Sequence, residues 1–328
     1  MLTLEGYNCF IKESRLHFYF TLYVNQSIKY SYWAGLKLKS RKIAVLLAAY
    51  NGEAFLGEQI DSILSQFGVD LDIYISIDRS SDNTLALCEE YSSKNENIHV
   101  LQPGGVFGSA SANFFHLFFS VRFSDYDFVA LSDQDDIWLP SKLYNALALM
   151  EKYNAKGYSS DDIAFWGEGK AVYVKKSYEQ KKFDHYFESA GHGCTYVFEA
   201  KSFSKFVLEV GKNRSILRRI AQHDWLAYFY YRVNEIPWVI DSRPNMLYRQ
   251  HAVNDFGVNS GFKGYFHRIK KVFGGWYREQ IYLNFEALGL EKPKVVTSRF
   301  HALYAIESLR RRTRDTVALA LFFIFFIY

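Results

Sequence analysis

Three aspartates crowd the segment Ser132-Asp133-Gln134-Asp135-Asp136-Ile137-Trp138. Carboxylates this close repel, and each raises its neighbours' pKa unless a cation neutralises them. Hard oxygen ligands of this kind suit Mg²⁺ or Mn²⁺, ions that bridge to substrate phosphates. Asp133 and Asp135 alternate, so in extended backbone they present to one side. Asp136 could instead cap a helix that begins near Pro140. A solvated acidic turn with a helix cap is the plainer alternative. The apolar FVALS before the cluster and Ile137-Trp138-Leu139-Pro140 after it favour a site.

A second group follows two other apolar runs. Ala49-Tyr50-Asn51-Gly52 ends the first and Asp78-Arg79-Ser80-Ser81-Asp82 ends the second. Asp78 could accept the imide N–H of a uracil or thymine base, and Tyr50 could stack on that base. Ordinary turn chemistry is the alternative for each alone, and Ser81 or Asp82 reads as a helix cap. Further along, His223-Asp224-Trp225 opens an aromatic helix, where Asp224 could serve as a general base. In Tyr248-Arg249-Gln250-His251 the histidine could be a third metal ligand or touch a phosphate. A structural histidine is the plainer alternative. No GxGxxG follows the first run and no GxxxxGK[ST] occurs, so dinucleotide oxidoreductases and P-loop enzymes lack their phosphate cradle.

The elements that must position these groups alternate. Residues 43–49 (IAVLLAA) suit a buried parallel strand. Residues 53–66 space apolar side chains at helical intervals. Residues 71–77 form a second strand, 82–91 a helix, 98–101 a third strand, 112–119 a helix, and 128–132 a fourth strand. Such a succession predicts an α/β fold with a parallel sheet and right-handed crossovers. Ligands then bind beyond the carboxyl ends of the strands, where the residues above fall. In the second half, 163–174 reads as strand material, 195–198 and 238–241 as strands, and 202–210 and 221–231 as helices.

Of 328 residues, 49% are apolar and 23% charged, a balance that excludes a disordered chain. The aromatic share is 18%, which suits sugar-binding surfaces and membrane interfaces, or equally a low-GC genome rich in Phe and Tyr codons. A net charge of +4 gives no argument for nucleic acid. The three cysteines, Cys9, Cys88 and Cys194, lie far apart with no CxxC, against a zinc site or disulfide framework and in keeping with a reducing, cytoplasmic setting. No cleavable signal peptide is visible in residues 1–40, which carry Lys12, Glu13, Arg15 and His17. Beyond Gly257 the chain is basic and aromatic. Arg310, Arg311, Arg312 and Arg314 then precede an apolar run over 316–328, shorter than the roughly 20 residues that span a bilayer. It could be a truncated span, a buried helix, or an interfacial anchor whose arginines face anionic lipid. The expected organisation is an extension of unknown role (1–40), a catalytic domain (41–257) and a membrane-associating region (258–328).

Together these residues resemble the family 2 glycosyltransferases, particularly the rhamnosyltransferase-like bacterial members that make O-antigen and capsule. The resemblance runs from about 41 to 257 and rests on AYNGEAFLGEQIDSIL, SIDRSSDNT, SDQDDIWLPSKL, GCTYVF, HDW and YRQH, in that order. It implies the GT-A fold, a mostly parallel central sheet with flanking helices, followed here by a helical, basic C-terminal region. By resemblance Ala48, Tyr50, Asn51 and Asp78 bind the nucleotide sugar, Asp133 lies near the ribose and phosphates, Asp135 holds the metal, and His251 completes the metal or diphosphate site. Asp224 would be the catalytic base, with Trp138, His223 and Trp225 on the acceptor side. Two departures stand out: Ile77-Asp78-Arg79-Ser80 replaces the common Asp-Asp-Gly-Ser, and no glycine follows His251.

The implied reaction is metal-dependent, inverting transfer from a UDP- or dTDP-sugar, rhamnose among the options, to a glycan acceptor on a lipid carrier. It would run at the cytoplasmic face of the inner or plasma membrane, on a peripheral or tail-anchored protein. Two rival classes are a catalytically inactive glycan-binding module and a sugar-nucleotide nucleotidyltransferase. The latter usually carries a glycine-rich basic phosphate loop, which Ala49-Tyr50-Asn51-Gly52 is not.

Overall fold

A computed structural model describes residues 41–102, 105–166, 169–251 and 275–325. The first half runs β1 (Lys42–Ala49), α1 (Leu56–Leu64), β2 (Asp70–Ile77), α2 (Thr84–Lys94), β3 (Ile98–Val100), α3 (Ala110–Ser120) and β4 (Phe128–Ser132). The middle holds β5 (Ile137–Trp138), α4 (Lys142–Lys152), β6 (Gly157–Ser160), β7 (Asp162–Phe165), β8 (Ala171–Val174), α5 (Asp184–Phe187) and β9 (Val197–Glu199). Then follow α6 (Ala200–Gly211), α7 (Arg214–Leu217), α8 (His223–Val233), β10 (Trp238–Asp241) and β11 (Met246–Arg249). The chain ends in α9 (Trp276–Ala287), α10 (Lys294–Thr297), α11 (Arg299–Tyr304) and α12 (Thr313–Phe325).

Seven strands form the main sheet in the order β10-β6-β9-β4-β1-β2-β3. The run β3-β2-β1-β4 is parallel, as the βα alternation requires, and β9 enters antiparallel between β4 and β6. β1 is buried on both faces with a period of two. Ala44, Leu46 and Ala48 pack with α3 and α8, whereas Ile43, Val45, Leu47 and Ala49 pack with α1 and α4. That double burial explains why its sequence is continuously apolar rather than alternating. β1, β2 and β4 all end at one edge, with Ala49 beside Ile77 and Leu47 beside Ser132. The Tyr50, Asp78 and Asp133 segments therefore emerge together.

A second sheet, β5-β11-β7-β8, was not foreseen from the sequence. The strand material expected over 163–174 is two antiparallel strands, β7 and β8. The strand expected at 195–198 begins two residues later, after a 3₁₀ turn at Gly193–Thr195. Asp136 does not cap α4: it is fully buried, and its Oδ1 accepts the backbone N–H of Arg249 at 3.1 Å.

The boundary expected at 257 is not a boundary in packing. Ile281, Leu283 and Phe285 of α9 are buried in the same core as α3 and α8. The 1–40 extension and the basic-aromatic segment over 258–274 lie outside the described residues. Arg310 and Arg311, which would face lipid if the tail were an interfacial anchor, turn inward. Arg310 donates to the Phe187 carbonyl at 2.6 Å, and Arg311 donates to the Ser189 carbonyl. No helix among the described residues is long and apolar enough to cross a membrane.

Candidate active site

The first loop is held tightly. Gln134 Oε1 accepts the Tyr50 N–H at 2.7 Å, and its Nε2 donates to the Tyr50 carbonyl at 2.8 Å. A Cβ on Gly52 would lie 2.3 Å from Gln134 Oε1, so only glycine lets this clasp close. Asn51, at φ 45°, accepts the Ser81 N–H at 2.8 Å and ties the first loop to the second. Tyr50 itself is exposed. Ala48, expected to line a base pocket, sits in the core against α3 and offers almost no surface.

Asp78 does more local work than expected. Its Oδ1 accepts the N–H groups of Arg79 (2.7 Å) and Phe107 (2.9 Å), and its Oδ2 that of Gly108 (2.8 Å). A carboxylate offers about four lone-pair positions. Three are taken by amides, which pins the loop after β3 and leaves about one for a base.

The acidic segment divides into two environments. Asp135 faces outward, with its Oδ2 2.6 Å from His251 Nε2. Arg249 fixes this pair: its Nε donates to the Asp135 carbonyl at 2.8 Å, and its guanidinium lies between the rings of Phe55 and Phe165 and pairs with Glu58. Asp136 points inward. Burial, then the charges of Asp135 and Asp133, hold its carboxyl well above the usual range. Burial likewise raises the Cys194 thiol. Lys142, fully buried beside them, donates to the Cys194 carbonyl at 2.6 Å and lies 3.3 Å from the Trp138 ring centroid. Burial pulls its pKa down to about 7.

Two metal-ligand sets are thus available. Ligand atoms of Asp133, Asp136 and Cys194 lie within 4.8 Å of one another. Both buried members resist deprotonation, and an amine stands next door, which disfavours a divalent cation there. Asp135 with His251 fits better, because a carboxylate and an imidazole already converge at a partly open point. That mixed set suits Mn²⁺ more than Mg²⁺.

Asp224 stands in the first turn of α8. Burial raises its carboxyl to about 6, opposed by the Trp225 N–H and by nearby His192 and Lys176. Its neighbourhood depends on Gly193, where a Cβ would come within 2.9 Å of the Asp224 Cβ. A carboxylate poised near neutrality matches the needs of a general base.

The three residues assigned to the acceptor side are corrected. Trp138 and Trp225 are each only 2% exposed and can offer no face to a sugar. Trp225 donates to the His185 carbonyl at 2.9 Å and stacks on Tyr277. His223 is stacked on Phe114 with ring centroids 3.9 Å apart, and burial lowers its pKa to about 3. The rings of Trp225 and His223 set the position of α8, and so of Asp224, while Trp138 packs in the opposite core layer against Lys142. Sequence reasoning passed over Gln134, Arg249 and His192. Gln134 and Arg249 stood inside motifs already singled out, and His192 lies between two glycines.

The sheet with its cluster of acidic and basic loops at the strand ends defines a GT-A glycosyltransferase. Residues 44–211 match the family described as glycosyl transferase family 2, and the chain belongs to it. It is 41% identical over 236 residues to the dTDP-rhamnosyl transferase RfbG of Shigella flexneri, covering 72% of this chain and 82% of that protein. It is 30% identical over 112 residues to the UDP-Glc:alpha-D-GlcNAc-diphosphoundecaprenol beta-1,3-glucosyltransferase WfgD of Escherichia coli, covering 34% of this chain and 42% of that protein. Among solved structures, S. aureus TarS 1-349 in complex with UDP superposes with a TM-score of 0.53 at 14% identity, covering 81% of this chain and 71% of that one.

Proposed function

We propose that this chain transfers rhamnose from dTDP-rhamnose, with inversion, to a glycan acceptor on a lipid carrier during surface polysaccharide synthesis. The observation that carries the reading is the placement of Asp224. A carboxyl raised to about 6 stands in the first turn of α8, against Gly193 in the turn that leads into β9, the strand paired with β4. The 41% identity to a dTDP-rhamnosyl transferase supports the donor. The lipid-linked acceptor rests on the acceptor named for WfgD.

In this mechanism Asp135 and His251 would hold a divalent cation. When bound, that ion supplies positive charge against the diphosphate leaving group. Asp224 takes the proton of the acceptor hydroxyl as that oxygen attacks the anomeric carbon in line. No covalent sugar–enzyme bond is required. A site at the cytoplasmic membrane face brings the enzyme to its lipid carrier. The exposed apolar side chains of α11 and α12, Phe300, Tyr304, Val317, Leu321, Ile324 and Phe325, support membrane contact.

The test is release of dTDP from dTDP-rhamnose by purified chain with Mn²⁺ and a lipid-linked oligosaccharide extract. UDP-glucose and GDP-mannose serve as competing donors. Rhamnose incorporated into the lipid fraction is the expected result. Turnover with another donor alone would replace rhamnose, and no turnover with any would sink the reading.

A further inference from the structure

Partly exposed His192 and buried Asp162 form a pair that none of the motifs includes. Asp162 opens β7 with its side chain wholly buried, and its Oδ2 lies 2.7 Å from His192 Nδ1. Its Oδ1 is buried without a partner. A buried carboxylate 2.7 Å from a ring nitrogen requires a proton on that nitrogen, so Nδ1–H donates to Asp162. The other ring nitrogen, Nε2, then faces away from Asp162. Among the described residues nothing bonds Nε2. The ring is held flat against Tyr248, with centroids 4.3 Å apart.

The location matters more than the pair. On one side, Tyr248 leads through β11 to His251, and the carboxylates of Asp133, Asp135 and Asp136 act on its hydroxyl. On the other, His192 is joined to Gly193, where a Cβ would come within 2.9 Å of the Asp224 Cβ. In an inverting transfer the base and the leaving group stand on opposite faces of the anomeric carbon. A side chain between the Asp133–Asp135 loop and Asp224 therefore borders the sugar being transferred.

We propose that His192 is a binding residue for the transferred sugar, its Nε2 forming a hydrogen bond with a ring hydroxyl, and that Asp162 is the positioning residue that holds Nδ1–H and fixes the plane of the ring. The assignment rests on the donor reading above for the identity of the sugar. It adds a sugar contact from outside the acidic and base motifs. A purely structural pair would not distinguish a nucleotide from a nucleotide sugar. A sugar contact must.

Titration calorimetry with Mn²⁺, comparing dTDP with dTDP-rhamnose, separates the two. His192→Phe keeps the stack on Tyr248 and removes both nitrogens. It should weaken dTDP-rhamnose about tenfold, the equivalent of one lost hydrogen bond of ordinary strength, while dTDP affinity stays within about twofold. Asp162→Asn should lower dTDP-rhamnose affinity about threefold and spare dTDP, because an amide no longer imposes one tautomer. Intact dTDP binding reports that either variant is folded. Equal losses for both ligands, or no loss for either, would overturn the sugar contact. A wild-type chain that binds dTDP but gains nothing from the rhamnosyl group would overturn it too. Failure of the wild type to bind either ligand would instead bring down the donor reading, and the contact with it.

Discussion

His251 Nε2 lies 2.6 Å from Asp135 Oδ2 across 116 residues of sequence, where the end of β11 meets the loop after β4. Arg249 imposes this meeting, since it bonds the Asp135 carbonyl and, through its own N–H, Asp136. If the pair is a metal site, Asp135→Asn should abolish Mn²⁺-dependent dTDP binding while leaving the melting temperature within a few degrees. The substitution removes one charged ligand and keeps the shape. Calorimetry of the variant with and without Mn²⁺ checks this, and unchanged metal-dependent binding would move the ligand to Asp133. Chelation of the wild type should reproduce the loss.

Much of this arrangement was legible because it depends on local pattern. IAVLLAA announces a strand buried on both faces, and an acidic cluster at the end of such a strand announces a site. What was hidden depends on partners distant in sequence. β11 has four residues and exists because Leu247 pairs with both Ile163 and Ile137. His192 looks like a loop residue until Asp162, 30 positions earlier, is seen beneath it. Trp138 and Trp225 had the composition of sugar platforms, and only packing shows that they are core.

The arginines before α12 give a prediction that runs against the interfacial-anchor option. Arg311 is buried; its Nε lies 3.6 Å from Asp184 and 3.4 Å from Glu188. Asp184 is itself fully buried. Removing one partner of a buried pair costs about 3–5 kcal/mol, whereas an exposed arginine is worth less than about 1. Arg311→Leu should therefore cost several times more in urea denaturation than Arg314→Ala, whose side chain is 70% exposed. Equal and small effects would show that the inward arginine is not structural.

Membrane contact, on this view, falls to apolar side chains. Leu321→Glu with Phe325→Glu places two charges on the exposed face of α12. Flotation with vesicles of phosphatidylcholine and phosphatidylglycerol should show binding reduced at least about tenfold, given roughly 1.5–3 kcal/mol for burial of each large apolar side chain. The urea midpoint should not move, because neither residue is buried. Undiminished flotation would remove α12 from the membrane contact.

The final prediction concerns Asp224, where burial and catalysis make opposite demands. Position in the first turn of α8 favours the ionised form, by N–H donation and the helix dipole. Burial disfavours it and wins, since the carboxyl rises from 3.8 to about 6. As a base it must be ionised, so turnover should be nearly constant above about pH 7. Below pH 6 it should fall about tenfold per unit, while Mn²⁺–dTDP affinity declines less steeply. Stability runs the other way. The folded state holds this proton more tightly than the unfolded one, so the contribution of Asp224 is greatest below about pH 4. It is lost as pH rises through about 6. Asp224→Asn should thus leave the melting temperature unchanged at pH 4 and raise it at pH 7, with turnover down by roughly 10²–10⁴ and donor affinity intact. A residue serving only as a helix cap would behave oppositely, losing about 1 kcal/mol of stability and little activity. Melting temperature at the two pH values and turnover, measured on one preparation, decide the matter. A lowered melting temperature with near-normal turnover would assign the base to another group.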